Sequence, residues 1–207
     1  MLNPKTKAHD QLESRRSKGN NFLLDLIAAL VQRCPKTQLD RTMIVPYTNM
    51  WPACFERLRK ELSPVFQGTD VTIEHVGSTA VPGLAAKPVI DLLLGAPTLG
   101  DIESRVADIT ALGYEYRKHY EAAIPQRRYF TKDAMRGLRV HVHGVERGGQ
   151  IWREHLFFRD LLRTDASRRS EYEALKRKLA HAHAGDKGAY SLAKRTYIES
   201  LLALAED

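Results

Sequence analysis

Glu74-His75-Val76-Gly77-Ser78-Thr79-Ala80-Val81-Pro82-Gly83-Leu84 runs straight into Ala85-Ala86-Lys87-Pro88-Val89-Ile90-Asp91-Leu92-Leu93-Leu94, and the fold is decided there. Val71–Val76 has the β-branched, apolar character of a strand and stops at Gly77-Ser78. A second strand, Pro88–Leu94, follows and ends at Gly95 and Pro97. A strand that breaks at Gly-Ser and opens a short helical turn leaves backbone N–H groups free, and with the helix dipole these suit a phosphate. An ordinary strand-end turn is the competing reading. Asp91 lies in a run so apolar that burial on both faces is expected, and a buried carboxylate needs a metal, a cation or backbone donors.

Outward from this centre, Asn49-Met50-Trp51-Pro52 starts a helix that carries Phe55, Leu58 and Leu62 on one face as far as Pro64. Ile102, Val106, Ile109 and Leu112 have helical spacing, closed by Gly113. Tyr114–Lys118, Arg127–Lys132 and Leu138–Val145 read as strands, the last two as a hairpin around Met135-Arg136-Gly137. From Ile151 the pattern turns helical: Ile151–Arg163, Ser167–His183 and Lys187–Ala205, separated at Thr164-Asp165 and Gly185-Asp186. The expected architecture is α/β (α+β): a mixed sheet with flanking helices in residues 41–150 and a helical subdomain in 151–207. Residues 1–40 read as a polar tail and an added helix, Phe22–Val31, which packs on the body or serves a homo-oligomer contact.

Composition narrows the function classes. The 207 residues carry 32 Lys+Arg and 25 Asp+Glu, a net charge of +7. The excess divides as +3, +2 and +2 over residues 1–40, 41–150 and 151–207, so no segment has the clustered footprint of a nucleic-acid binder. Two cysteines without CxxC spacing exclude a disulfide framework or a Cys-rich zinc site. The apolar run around Phe22–Val31 is interrupted by Asp25 and too short to span a bilayer, and Met1-Leu2-Asn3-Pro4-Lys5 lacks a signal-peptide pattern. A cytoplasmic protein without a membrane partner is expected.

Strand alternation supplies further candidates. In Leu138-Arg139-Val140-His141-Val142-His143, both histidines and Arg139 project to one face. Together with Asp91 they form a His-His-carboxylate set able to bind one transition metal; alternatively one histidine is a general base, or both are satisfied by neighbouring groups. Glu74 and His75 point to opposite faces of their strand, so one of them at most faces the site. Lys87 precedes the Asp91 strand and can reach a phosphate. Arg159 and Arg163 form a helical i, i+4 row with His155 one turn earlier, suited to clamping an anion. Lys176, Lys187, Tyr190 and Lys194 are further candidates, each with a solvated-surface alternative.

His75-Val76-Gly77-Ser78-Thr79-Ala80-Val81-Pro82-Gly83-Leu84 through Asp91 resembles the signature of the GrpB family. Arg139-Val140-His141-Val142-His143, Trp152–Arg163, Tyr172–Lys176 and Tyr190–Lys194 are similar to its later motifs, over roughly residues 43–205. The resemblance implies a nucleotidyltransferase fold of the polymerase-beta type. That superfamily follows its Gly-Ser turn with an Asp-x-Asp/Glu pair and a third carboxylate on a later strand, which together hold two Mg²⁺. Asp91 matches the first acid, Leu93 departs from the second, and His141 or His143 stands where the third is expected.

Three functions follow as expectations. The first is an enzyme transferring a nucleoside monophosphate from an NTP. Gly77, Ser78 and Thr79 would cradle the phosphates, Lys87, Arg139, Arg159, Arg163 and Lys194 would neutralise them, and Asp91 would hold Mg²⁺ or Mn²⁺. The second is a nucleotide- or anion-binding, chaperone-like module without catalysis, because of Leu93 and because GrpB-like domains occur fused to dephospho-CoA kinase. The third is a metal enzyme using Asp91, His141 and His143, with Zn²⁺ or a similar ion, on a small anionic metabolite. The partner in each case is a small polyanion such as a nucleotide.

Overall fold

In the computed structural model, residues 43–133, 138–184 and 186–205 are described, all within one compact unit spanning Asp40–Asp207. The added helix and oligomer contact expected in residues 1–40 lie outside the described residues. The chain alternates helix and strand as the pattern requires: α1 (Met50–Leu62), β1 (Thr72–Val76), β2 (Val89–Ala96), α2 (Leu99–Glu103), α3 (Val106–Ala111), β3 (Glu115–Tyr116), β4 (Arg127–Asp133), β5 (Arg139–Glu146), then α4 (Gln150–Thr164), α5 (Ala166–Ala182) and α6 (Lys187–Leu202). The fold is the mixed α/β class expected. One expectation needs correcting: Ile102–Leu112 is two helices, not one. Thr98 and Asp101 form a reciprocal capping box that fixes α2, whose backbone ends at Ser104 and Arg105 before α3 begins.

The sheet order is β1-β2-β5-β4-β3. Only β2 and β5 run parallel, with Asp91 opposite His141 and Leu93 opposite His143; β1–β2, β4–β5 and β3–β4 are antiparallel. The parallel pair requires a crossover, which α2, α3 and the β3–β4 pair supply. Register then sorts the side chains. One face carries His75, Ile90, Leu92, Leu94, Val140, Val142 and Phe130, and it packs on Trp51, Phe55, Leu58 and Leu62 of α1 and on Ile102 and Ile109 to form the main core.

The opposite face carries Glu74, Val76, Asp91, Leu93, His141, His143 and Tyr129, and α4 lies across it. Trp152 of α4 rests on bare backbone at Gly95, where a Cβ would overlap its indole ring. Leu156 joins Val76, Leu93 and Val145 in a second apolar cluster. The last two helices start at side-chain caps: Asp165 accepts from the Arg168 N–H (3.0 Å), Asp186 from the Ala189 N–H (2.9 Å). A third cluster joins Leu162, Tyr172 and Leu201 to Val81 and Leu84, so the segment after the Gly-Ser turn is packed among the C-terminal helices. No helix among the described residues is long and apolar enough to cross a membrane.

Candidate functional site

β1 ends at Gly77, whose φ of +73° and ψ of −174° belong to a region only glycine occupies comfortably. This conformation brings the bare Cα against Asp91, so a Cβ there would overlap Oδ2 of the carboxylate. The other carboxylate oxygen meets both histidines: Oδ1 is 3.2 Å from His141 Nδ1 and 3.6 Å from His143 Nε2. One donor atom from each of Asp91, His141 and His143 lies within 4.8 Å of the others. The i, i+2 spacing on β5 and the Asp91–His141 register create the group without any loop contribution.

The Asp91 side chain is 23% exposed, so the expectation that β2 is sealed on both faces fails at this position. Burial pushes its carboxyl up, but hydrogen bonds from His141 and His143 outweigh that and hold it below the ordinary carboxylate range. Burial pulls His143 down, against the upward pull of Asp91. Its Nδ1 is buried and has no hydrogen-bond partner among the described residues.

Two further residues complete the setting: Tyr129, which the sequence reading did not single out, and His155, which it placed only in the anion-clamping row with Arg159 and Arg163. Tyr129, opposite His143 on β4, packs 5.2 Å from the His143 ring and 5.6 Å from the His141 ring; burial, then Asp91, pushes its phenol up to about 12. His155 of α4 lies 5.6 Å from the His143 ring and hydrogen-bonds the Ile151 carbonyl through Nδ1, which must therefore carry the proton. Burial holds His155 down to about 4, so its ring is neutral at pH 7. Alternation on β4 against β5 would have found Tyr129 had the register been known.

The other candidates divide. Ser78 is half-buried at the turn, while Thr79 is interior: its hydroxyl donates to the Val89 carbonyl (2.8 Å) and accepts from His75 Nε2 (3.1 Å). Lys87 lies 3.5 Å from the centre of the Tyr190 ring and Lys194 lies 5.8 Å from it. Tyr172 chiefly holds the Lys194 ammonium above its usual range against the cost of burial, and Tyr190 and Asp91 add to this. Lys176 is buried and donates to the Ala85 carbonyl, whose own N–H donates to Glu173 (2.9 Å). Arg139 makes a 3.3 Å ion pair with Asp133.

Arg159 and Arg163 of α4 grip the strand before the turn and the segment after it. Arg159 pairs with Glu74 (2.8 Å) and Asp160 (2.8 Å) and donates to the His75 carbonyl; Arg163 donates to the Ala80 carbonyl (2.9 Å). Glu74 therefore lies on the Asp91 face and is bound by arginine, while His75 stacks on Phe55 (4.7 Å) on the opposite face.

The family model for GrpB protein matches residues 41–204. The chain belongs to the GrpB family. Among GrpB-related proteins it is 37% identical over 159 residues to UPF0157 protein SCO7215 of Streptomyces coelicolor, covering 77% of this chain and 81% of that one. It is 32% identical over 175 residues to UPF0157 protein YqkA of Bacillus subtilis, covering 84% of this chain but 49% of YqkA, so the chain spans about half the length of that relative. A dephospho-CoA kinase of Mycolicibacterium paratuberculosis matches at 28% identity over 188 residues, 79% of this chain and 46% of the kinase. The crystal structure of conserved protein GrpB from Enterococcus faecalis superposes with a TM-score of 0.69 at 29% identity, covering 80% of this chain and all of that one.

His75 sets a pH dependence. Burial holds it down to about 4 against an upward pull from Asp91, and Arg163 and Arg159 add to the fall. Between its unfolded value near 6.5 and the folded 4, the unfolded chain binds the extra proton. Stability therefore rises with pH through that window and is level above it. Urea melts at pH 7 and pH 5 should differ by about 1–2 kcal/mol from this group, and His75→Gln should remove that share while leaving the share that buried His155 contributes in the same window. An unchanged slope in the variant would refute the assignment.

Proposed function

We propose that this chain binds the phosphates of a nucleotide between the Gly77-Ser78 turn and Lys194, beside one divalent metal ion held by Asp91, His141 and His143, and transfers a nucleoside monophosphate to an acceptor. The observation that carries this reading is the contact of the Gly77 backbone with one oxygen of Asp91 while both histidines meet the other. A phosphate bound at the turn would thereby lie next to the metal ligands.

The donor set constrains the metal. One carboxylate and two imidazoles suit Mn²⁺ or Zn²⁺ better than Mg²⁺, which prefers oxygen ligands. Leu93, where a second acid would extend the set, is fully buried against Val76, Val145, Trp152 and Leu156, so its side chain is committed to packing. Such a metal supplies charge neutralisation and Lewis acidity at a phosphoryl oxygen. The rest belongs to the chain's own groups. Ser78 and the turn N–H groups orient the phosphates, Lys194 offsets their charge, and neutral His155 and Tyr129 wall the ligands off from water.

A second reading, binding without turnover in support of an attached enzyme, draws on Leu93 and on the relative named as a dephospho-CoA kinase. One experiment separates the two. Thermal unfolding is followed with NTPs and CoA-type nucleotides, with and without Mg²⁺, Mn²⁺ or Zn²⁺, alongside pyrophosphate release. At about a hundredfold excess over the dissociation constant, a ligand of the folded state adds about 2.7 kcal/mol of stability. A metal-dependent shift with pyrophosphate release supports transfer, and a shift without release supports the second reading. No shift with any nucleotide at millimolar concentration would sink both.

A further inference from the structure

A pocket of about 470 Å³ opens at β1, the edge strand of the sheet, and none of Asp91, His141 and His143 lines it. Its volume lies in the range of small-molecule sites. Its lining includes Phe55 and His75, which stack in parallel on one another (4.7 Å, 5° between planes) with a small exposed edge each, together with Ile73 and Tyr47. The same lining holds Arg59, Arg159 and Arg163 against two carboxylates, Glu56 and Glu74.

The pairing of these charges is uneven. Glu56 is taken by Arg59 (2.7 Å) and Glu74 by Arg159 (2.8 Å). Arg163 shares Asp160 with Arg159 at 3.5 Å, and its Nε is held by the Ala80 carbonyl. Among these residues Arg163 is the guanidinium with the longest ion contact, and it is 38% exposed. Arg59 is exposed as well. His75 adds a directional group. The Thr79 hydroxyl donates to Val89, so it accepts from His75 Nε2–H, and His75 Nδ1 is left as an acceptor.

We propose that this pocket is a second binding site, separate from the Asp91 group, for a small organic anion. The ligand carries a phosphate monoester or carboxylate on a planar apolar body. Its ring lies against the exposed edges of the Phe55–His75 pair and its anion is gripped by Arg163 and Arg59, for which guanidinium geometry is suited. Because Arg163 also holds Ala80 and His75 holds Thr79, the occupant bears on the back of the Gly77–Val81 segment.

Calorimetric titration of the full chain with phenyl phosphate, benzoate and phenol tests the proposal. Saturable binding of one or both anions is expected, with phenol at least about tenfold weaker. Arg163→Gln should weaken the anion at least about tenfold and Arg59→Glu, at an exposed position where folding is not at stake, at least about threefold. Asp91→Asn should leave this binding within about twofold, because Asp91 does not line the pocket. Absence of saturable binding by either anion would overturn the proposal. So would binding that Asp91→Asn abolishes and the arginine variants leave intact, since the ligand would then be at the Asp91 site. Which anion binds more tightly identifies the acid group of the ligand.

Discussion

Asp91→Asn should abolish metal retention: equilibrium dialysis with Mn²⁺ or Zn²⁺ is expected to show a loss of affinity of at least about a hundredfold. Substitution of groups that merely orient metal ligands costs about ten- to a hundredfold, and a ligand itself should cost no less. The substitution keeps the shape of the side chain and removes its charge, so the loss reports chemistry and not packing. It also leaves a neutral amide oxygen where His141 and His143 meet a carboxylate oxygen at 3.2 and 3.6 Å, so both contacts lose their charge assistance. The two half-buried rings then hold weaker, neutral contacts, and the metal-free protein should lose about 1 kcal/mol in urea melts. The nucleotide-dependent thermal shift should disappear with the metal. A variant that binds metal as the parent does would remove Asp91 from the site.

Gly77→Ala is the second large effect. A side chain at φ +73° and ψ −174° costs about 1–3 kcal/mol in backbone strain. The new methyl also overlaps Asp91 Oδ2, so the carboxylate or the turn must move. The expected loss is about 3 kcal/mol or more, a fall in Tm of roughly 6–12 °C for a chain of this size. Gly83→Ala is the control, because Gly83 also has positive φ (+80°) but open space where the Cβ would be, so only the backbone cost of about 1–2 kcal/mol is expected. Adding Asp91→Ala to Gly77→Ala should recover the part of the loss due to overlap. If Gly77→Ala costs no more than Gly83→Ala, the close contact between turn and carboxylate is wrong.

The route by which this site could be read from sequence is specific. Alternation put His141 and His143 on one face, and burial logic demanded a partner for Asp91; parallel pairing of β2 with β5 then made those two requirements answer each other. What alternation could not decide was which of Glu74 and His75 shares that face, because it depends on the β1–β2 register that sets Val76 opposite Asp91. Tyr129 escaped for the same reason, its place following from the register of β4 on β5. The phase of Arg159 and Arg163 on α4 was legible, but their partners were not. Glu74 and Ala80 lie more than eighty residues away in sequence, and only the docking of α4 across β1 brings them together.

The clasp on Ala85 gives the fold a mechanical consequence. One residue of the segment between turn and β2 is held on both sides by α5, its N–H by Glu173 and its carbonyl by buried Lys176, whose ammonium burial lowers to about 7. In terms of amide hydrogen exchange, Ala85 should behave as core and not as loop, because its proton is released only when α5 lifts away. The same clasp couples the two ends of the chain's chemistry: any breathing of the C-terminal helices draws Val81–Pro88 with them, and so tugs on Gly77 and Asp91 from either side.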